Sequence, residues 1–293
     1  MYKFGFVVLH YKTFMDTIDC VNSLVDLDGN IEIIIVDNYS NNGSIEKVCE
    51  KFENYNNVHF IYNNENLGFA KGNNEGIKYG ISIGCDFICA INNDTIIKQI
   101  DFVEKTIEDW KKKQYSISGP RIISTVDGFE QNPFMVSKHY IKGIKDSVRL
   151  FLIGLIKYIF VVLKIPMFWE SNKHGFTEGL ENQYLLSNKK DFLLNGACLI
   201  FSPTYFSEFN KMYDATFMYE EETIIYYLAN KLGFLFTYNP DITIYHKEQS
   251  STNYSIKRPR ERLLFGYRED LKSRLIVLKL TLEKREKQIQ HLK

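Results

Sequence analysis

The sequence predicts an α/β protein built on a mostly parallel sheet. Three observations predict this class: apolar runs of strand length, helical spacing between the runs, and polar loops where the runs end. Strands that alternate with helices favour parallel pairing through right-handed crossovers. Sheets of this kind bind ligands outside the carboxyl ends of their strands, so the polar loops are where we look for function.

The individual elements follow from the pattern of apolar residues. The run Phe4–His10 predicts the first strand, and helical spacing follows it from Thr13 to Leu27. The run Ile31–Val36 is rich in β-branched residues, which favour a buried strand. The alternation then continues with a helix at 44–52, a strand at 58–62, a helix at 69–83 and a strand ending at Asn92. Residues 1–98 thus form a predicted half-domain of the nucleotide-binding type.

Composition limits the classes of function. The chain has 293 residues, 45% of them hydrophobic, enough for one large core or two modest ones. Its 36 basic and 36 acidic residues leave no net charge, which excludes a field suited to nucleic acid. Five cysteines without a CxxC pair are typical of reduced core residues. The N-terminus enters a strand without a basic or cleavable segment, so we expect a cytoplasmic protein.

The loop Asn92-Asn93-Asp94-Thr95 follows a buried strand. We expect Asp94 to be exposed there, where a carboxylate can hold a hard divalent cation against a diphosphate. The same residues also fit a plain turn with an Asx cap for a helix near Lys98. Neither GxGxxG nor GxxxxGK[ST] occurs, so a dinucleotide fold and a P-loop are not supported.

Seven motifs occur in one order along the chain: Val36–Ser40, Asn66–Asn74, Asn92–Thr95, Gly119–Ile122, Asn195–Cys198, Phe217–Glu222 and Ile244–His246. The series resembles family 2 glycosyltransferases, especially the rhamnosyltransferase-like branch. The resemblance covers residues 4–250 and implies a glycosyltransferase A type of fold in a domain spanning 1–255. That domain would combine a nucleotide-sugar half at 1–98 with an acceptor half at 115–250.

The resemblance implies an inverting, metal-dependent hexosyl or deoxyhexosyl transfer. The donor would be a nucleoside-diphosphate sugar, the acceptor a glycan or a lipid-linked saccharide, and the setting surface polysaccharide synthesis. A divalent cation, Mn²⁺ or Mg²⁺, would neutralise the leaving diphosphate. Asp94 matches the family acid that reaches the cation, and His246 matches a family histidine near the metal or diphosphate. A lone histidine at a strand end is otherwise a surface residue.

Further positions match the family's contacts to the nucleotide sugar. Asp37 resembles the acid that binds the base or ribose, which we favour over the alternative of an Asx-turn. His10 and Tyr11 occupy the place where the family packs the base. A glycine-containing loop lets backbone approach a ligand, unless it is only a loop with capping asparagines. The remaining predicted donor contacts are Asn66, Gly68, Asn73, Asn93, Asn195 and Gly196.

An inverting transfer needs one carboxylate that takes the proton of the acceptor hydroxyl. Glu220-Glu221-Glu222 is predicted to open a helix, where acids are also favoured by the helix dipole alone. The family aligns its base with Glu222, and Glu221 is the alternative. Ile224 replaces an acid that the family often has, which keeps open a changed acceptor or a glycosyltransferase-like binding module without catalysis.

Two segments lie outside the resemblance. The apolar stretch Ser147–Ile165 is interrupted by three cations, so it cannot span a bilayer. Within an amphipathic insert near 144–165, the cations lie on one side of a helix, which indicates an interfacial helix at the inner face of the cell membrane or a core helix over the sheet. Residues 256–293 form a predicted helical tail, either for a homodimer or for docking on its own domain. Its seam, broken by Arg285, consists of Leu271, Leu275, Leu278, Leu282, Ile289 and Leu292.

A nucleotidyltransferase on a similar sheet is a third hypothesis. That class carries a glycine-rich, arginine-containing loop near its N-terminus. Phe4–Lys12 has one glycine and no arginine, which disfavours it.

Overall fold

The computed structural model describes residues 1–135, 141–165, 192–248 and 254–293. Within these ranges the strands are β1 Lys3–His10, β2 Asn30–Asp37, β3 Val58–Tyr62, β4 Phe87–Asn92, β5 Thr95–Ile96, β6 Ile117–Ser124, β7 Phe134–Met135, β8 Phe192–Leu193, β9 Cys198–Phe201 and β10 Phe236–His246. The helices are α1 Phe14–Val25, α2 Ser44–Phe52, α3 Phe69–Ser82, α4 Phe102–Lys113, α5 Ile144–Leu163, α6 Pro203–Phe206, α7 Glu221–Leu232, α8 Pro259–Leu282 and α9 Arg285–Gln290.

Eight strands form one sheet in the order β3-β2-β1-β4-β9-β6-β10-β5. The pairs among β1, β2, β3 and β4 are parallel, as is the pair of β6 with β10. Strand β9 runs antiparallel to both β4 and β6, so β4 and β6 point the same way. Six strands therefore end at one edge, and the predicted α/β class with a mostly parallel sheet is confirmed.

Both faces of the sheet are covered, which explains the continuous apolar runs in the sequence. Successive side chains of a strand point to opposite faces. Accordingly, Phe6 and Ile33 pack into a core with α1, α2 and α4, whereas Val7 and Ile34 belong to a second core on the other face. Burying a strand on both sides is typical of parallel sheets with crossover helices.

The segment after Asn92 differs from one prediction. No helix begins near Lys98; instead Thr95 and Ile96 form β5, which pairs antiparallel with Tyr245 and His246 at the end of β10. The next helix, α4, begins at Phe102. Backbone pairing with β10 outweighs the local tendency to start a helix, and it brings the loop at Asp94 next to His246.

Helix α5 and the tail pack against each other. A narrow stripe of α5 is buried, namely Ser147, Leu150, Gly154 and Val161, and it faces α8. The tail docks on its own domain, one of the two predicted outcomes. Its predicted seam is confirmed only in part: Leu292 is buried and Ile289 packs against the core, but Leu275 and Leu282 are exposed while Val277 and Leu280 are buried. Across the described ranges, every helix is too short or too polar to cross a bilayer.

Candidate active site

The carboxyl edge of the sheet gathers polar residues that are far apart in the sequence. Strand β1 ends at His10, β2 at Asp37, β4 at Asn92 and β10 at His246. The turn before β9 lies at the same edge, because this strand runs in the opposite direction and begins there. The sheet topology thus places donor-side and acceptor-side motifs next to each other.

A cleft of about 440 Å³ opens beside this edge, between the turn before β9 and the start of α7. Residues from several parts of the chain border it, among them Gly196 and the polar residues Asn92, Asn195, Glu220, Glu221, Glu222, Thr223 and Asp270. We call it the acid cleft. It brings together four of the predicted site residues, and the tail adds Asp270.

The turn before β9 presents a backbone amide to Glu222. The Gly196 N–H donates to Glu222 Oε1 at 3.1 Å. A Cβ at Gly196 would lie only 3.0 Å from that oxygen, so a larger residue would push the carboxylate away. The turn is itself fixed, because Asn195 Oδ1 accepts the Ala197 N–H at 2.9 Å and the Asn195 N–H donates to Asn132 at 3.1 Å.

Glu220 occupies the N-cap position of α7, beside the buried Arg274. Its Oε1 lies 3.1 Å from Arg274 Nε, and the same nitrogen is 2.9 Å from Asp270 Oδ2. Burial raises the pKa of Glu220 to about 7, although the Arg274 charge opposes that change. The Arg274 guanidinium thus contacts two carboxylates, so Glu220 shares it with Asp270.

Glu221 and Glu222 are adjacent acids in different surroundings. Burial and then the Glu222 charge raise the pKa of Glu221, whose Oε1 accepts a hydrogen bond from Thr216 at 3.3 Å. Burial also raises the pKa of Glu222, but its own N–H and that of Gly196 oppose the change. Two neighbouring acids do not both ionise readily, and the Gly196 N–H favours ionisation at Glu222.

Asp94 and His246 form a close pair, with 3.2 Å between Asp94 Oδ1 and His246 Nε2. Asp94 is 5% exposed, which corrects the expectation of an exposed carboxylate: pairing of β5 with β10 folds the loop inward. Gln131 orients the imidazole. Its amide donates to Glu248 at 2.6 Å, so its Oε1 is the atom that accepts from His246 Nδ1 at 2.8 Å. Nε2 then faces the Asp94 carboxylate.

A second cleft of about 440 Å³ lies at the donor side of the edge, and Tyr11 lines it together with Lys12, Tyr39 and Asn41. Lys12, Tyr39 and Asn41 all have positive φ angles, of 66°, 63° and 45°. Positive φ is uncommon outside glycine, and such strain clusters at ligand sites. Asp37 lines the neighbouring cleft with Tyr39, and it also forms the predicted Asx-turn, accepting the Ser40 N–H at 3.2 Å.

The family model described as "Glycosyl transferase family 2" matches residues 7–162, more than half of the chain. The chain belongs to glycosyltransferase family 2. This confirms the family inferred from the motif series, while its rhamnosyltransferase-like branch stays a prediction.

Known proteins extend the comparison. The low-salt glycan biosynthesis hexosyltransferase Agl10 of Haloferax volcanii is 28% identical over 120 residues, which is 40% of this chain and 36% of that protein. The match therefore spans about a third of the curated relative. Residues 1–349 of S. aureus TarS superpose with a TM-score of 0.52 at 16% identity, over 90% of this chain and 65% of that one.

GalNAc-T7, solved with UDP, GalNAc and Mn²⁺, gives a TM-score of 0.57 at 12% identity, over 86% of this chain and 45% of that one. Identities this low show the fold alone. They confirm the glycosyltransferase A type of α/β fold.

Some family positions do not offer their side chains to a ligand. His10 is fully buried, and its ring nitrogens bind Thr17 Oγ1 at 2.7 Å and Ser44 Oγ at 2.8 Å. Asn93 is also buried and donates to Thr13 and Thr17. Both side chains thus make their contacts within the protein and hold the donor loops against α1. Their contact with the nucleotide sugar stays a prediction.

The glycine-containing loop of this glycosyltransferase, Asn66–Asn74, is likewise held by contacts within the protein. Gly68 has φ 81°, and a Cβ there would meet Phe217 O at 2.1 Å, so the close approach is to Phe217 rather than to a ligand. Asn66 Oδ1 accepts from Asn38 at 3.0 Å, and Asn73 is buried and donates to Phe69 O at 3.0 Å. The Asn66 and Asn73 side chains thus make contacts within the protein, and the contact of these three residues with the donor stays a prediction.

The donor set at Asp94 and His246 fits the divalent cation that the family implies. Oxygen and imidazole nitrogen are both metal ligands, and Gln131 holds the His246 ring with Nε2 toward the Asp94 carboxylate. Within the part of the chain that the structure describes, no group of three or more His, Cys, Asp and Glu could hold a metal ion. The protein would therefore supply two ligands, leaving the others to diphosphate and water.

Sequence reasoning missed several residues of the glycosyltransferase site. Asp270 lies in the tail, far from every motif, and only the packing of α8 brings it to the acid cleft. Arg274 follows one helical turn later. Gln131 stands in a segment without a motif and acts through His246. The one sequence signal for Asp270 and Arg274 is their spacing of four residues in a charged helix. The same spacing indicates an ordinary surface ion pair as readily.

Proposed function

We propose that this family 2 protein is an inverting glycosyltransferase that moves a hexosyl or deoxyhexosyl group from a nucleoside-diphosphate sugar to a saccharide acceptor. One observation carries the proposal. Glu222, held by the Gly196 N–H, lines the same cleft as Asn92, and Asn92 stands two residues before Asp94. A carboxylate base and a candidate diphosphate site thus adjoin at one sheet edge.

We assign the base to Glu222. Its carboxylate lines the acid cleft and accepts the Gly196 N–H, which favours the ionised form that proton abstraction requires. Glu221 is more deeply buried, bonds to Thr216 and has its pKa raised by its neighbour, so it stays protonated. As a neutral acid it cannot compete for the acceptor proton.

We assign a Mn²⁺ or Mg²⁺ ion to Asp94 and His246. A cation there would offset the charge that grows on the leaving diphosphate. The structure of GalNAc-T7 with UDP and Mn²⁺, on the same type of fold, supports this assignment. Gln131 fixes the imidazole so that Nε2 faces Asp94 whether or not the donor is bound.

We place the donor across residues 1–98 and the acceptor on residues 115–250. Tyr11 and Asp37 are our candidates for the base and ribose, and Asn195 and Gly196 for the sugar, because each lines a cleft at the edge. The tail, 256–293, adds Asp270 to the acceptor side. Hexosyltransferase Agl10 in glycan biosynthesis supports a glycan or lipid-linked acceptor and a role in surface polysaccharide synthesis, which we place in the rhamnosyltransferase-like branch.

A binding module without catalysis is the second candidate, and Ile224 is the observation that favours it. Ile224 is 2% exposed and lies in the core, so the position where the family often has an acid contributes none to the acid cleft. Such a module would bind the nucleotide and transfer nothing. Glu222 still supplies one carboxylate, which is all that a single displacement needs.

The first test is thermal unfolding with a panel of nucleoside-diphosphate sugars, with and without Mn²⁺. A ligand that binds the folded state raises the unfolding temperature by mass action, which identifies the donor before an acceptor is known. We expect metal-dependent protection by at least one donor, followed by its slow hydrolysis. Protection without hydrolysis or transfer to any acceptor would favour the binding module. No protection by any nucleotide would overturn both.

A further inference from the structure

Helix α5 carries an aliphatic surface that the rest of the described chain leaves uncovered. Its buried stripe faces α8, and the opposite side exposes between 38% and 62% of six aliphatic side chains. We call this the outer face of α5, formed by Val148, Leu152, Ile156, Ile159, Val162 and Leu163. Single exposed aliphatics are ordinary, but a continuous patch on one helix marks an interaction surface.

Cations frame this outer face. Residues seven apart lie in one row along a helix, so exposed Lys145 precedes Leu152 and Ile159 in one row. Exposed Arg149 precedes Ile156 and Leu163 in another. Lys164 follows the helix, and within residues 144–165 four cations stand against the single acid Asp146. The chain as a whole has no net charge, so this positive character is local.

The positive charge around the outer face of α5 indicates which kind of partner would bind there. A second copy of the chain on the same patch would bring two cationic surfaces together, and like charges oppose such a contact. The helix is not long and apolar enough to cross a bilayer. An aliphatic face with flanking cations suits a helix that lies in the interface of a membrane with anionic lipids. We propose that the outer face of α5 docks on the surface of an anionic bilayer.

The inner side of α5 connects this surface to the acid cleft. Arg274 donates to Leu150 O at 3.0 Å, and its side chain packs on Gly154, where a Cβ would come within 2.7 Å of Arg274 Cδ. The same guanidinium contacts Glu220 and Asp270 of the cleft wall. Only the packed helices α5 and α8 would therefore separate a docked bilayer from the acid cleft. This consequence, which rests on the proposed function, favours a saccharide carried on a lipid at the inner face of the membrane.

The test is sedimentation of the full chain with sucrose-loaded vesicles, without nucleotide or acceptor. Vesicles of phosphatidylcholine are compared with an equal mixture of phosphatidylcholine and phosphatidylglycerol, at low and high salt. We expect binding to the anionic vesicles that weakens with salt, because the cations are attracted through a screened field. A protein that stays in the supernatant with anionic vesicles at low salt overturns the proposal.

Variants separate the aliphatic contribution from the charge. Replacing Leu152, Ile156 and Ile159 with Ser should lower the partition coefficient about tenfold or more, since the aliphatic surface drives insertion. The matched control replaces three aliphatic residues of similar exposure elsewhere, Met15, Ile100 and Leu235, with Ser and should leave binding unchanged. Equal loss in both variants overturns the assignment to α5.

Charge variants give the second readout. Lys145→Gln with Arg149→Gln should lower binding roughly fivefold for each cation removed, whereas Lys111→Gln with Lys112→Gln on α4 should not. Sedimentation velocity of the unmodified protein provides the remaining check. A dimer that the three Ser substitutions on α5 dissociate would assign the face to a second copy and overturn the proposal. None of these measurements depends on catalysis. The vesicle result can therefore be interpreted even if the protein proves not to be a transferase.

Discussion

The donor half and the acceptor half use their polar motif residues differently. In the donor half, His10, Asn66, Asn73 and Asn93 are engaged by the protein itself and hold the loops in place. In the acceptor half, Asn195, Gly196, Glu221 and Glu222 border one open cleft. A polar motif can therefore mark either the framework of a site or its reactive surface, and the sequence alone does not separate the two.

The physical reason lies in the backbone. The donor half presents loops that follow parallel strands, and side chains such as Asn38 satisfy the buried polar groups of these loops. The acceptor half is built from the end of a short strand and the first turn of a helix, whose backbone is largely satisfied locally. Donor-half substitutions should thus reduce stability, and acceptor-half substitutions should reduce chemistry.

The largest expected effect is at Glu222 in the acceptor half. Glu222→Gln keeps the shape of the side chain but cannot take the acceptor proton, so transfer should fall by roughly 10²-fold or more while donor binding persists. Glu221→Gln is the matched control and should slow transfer far less. Transfer rate and donor affinity are measured for both variants. The reverse pattern moves the base to Glu221, and no effect from either removes the proposed mechanism.

In the donor half, His10 should make folding sensitive to acid. Burial lowers its pKa from 6.5 to about 4, so the folded state binds fewer protons than the unfolded state between those values. Its contribution is present above pH 6.5 and is lost as the pH falls toward 4, by about 3 kcal/mol. Urea unfolding of the protein and of His10→Gln across this range checks it. Parallel stability curves would contradict the prediction.

Asn38 tests the framework of the donor loops. Its amide donates to Asn66 Oδ1 and Gly68 O, and its carbonyl oxygen accepts from Asn63 and the Leu67 N–H. Asn38→Leu leaves these buried partners unpaired, which should lower the free energy of unfolding by about 2–4 kcal/mol.

The exposed Asn54 offers the control for Asn38, and Asn54→Leu should change stability by no more than about 0.5 kcal/mol. Both variants are compared by urea unfolding at neutral pH. Similar losses in the two would show that the Asn38 contacts contribute nothing specific to the loops.

The smallest effect concerns Asp94, where the two halves meet. Asp94→Ala should weaken Mn²⁺-dependent binding of the nucleoside diphosphate by about tenfold or more, leaving metal-free binding in place. Because Asp94 is buried, we also expect a modest loss of stability, about 1 kcal/mol. Calorimetric titration with and without Mn²⁺ measures the first effect. Equal affinities of variant and unmodified protein under both conditions would exclude Asp94 as a ligand.

The sequence by itself determined the β-α alternation of the first half. The bounds of α2 and β3 agree with the predicted ranges, because periodicity and β-branched content are local signals that a buried sheet does not override. It also determined where the reactive acids lie, at the first turn of α7, since a helix start can be recognised from a few neighbouring residues.

Tertiary structure alone decided which polar residues face a cleft. Pairing of β5 with β10 turned a predicted exposed acid into a buried one beside His246, and packing of α8 on α5 brought Asp270 into the acid cleft. It also buried Val277 and Leu280 of the tail in place of the predicted Leu275 and Leu282. These outcomes depend on partners more than a hundred residues away, and no local pattern of side chains encodes which partner a surface will meet.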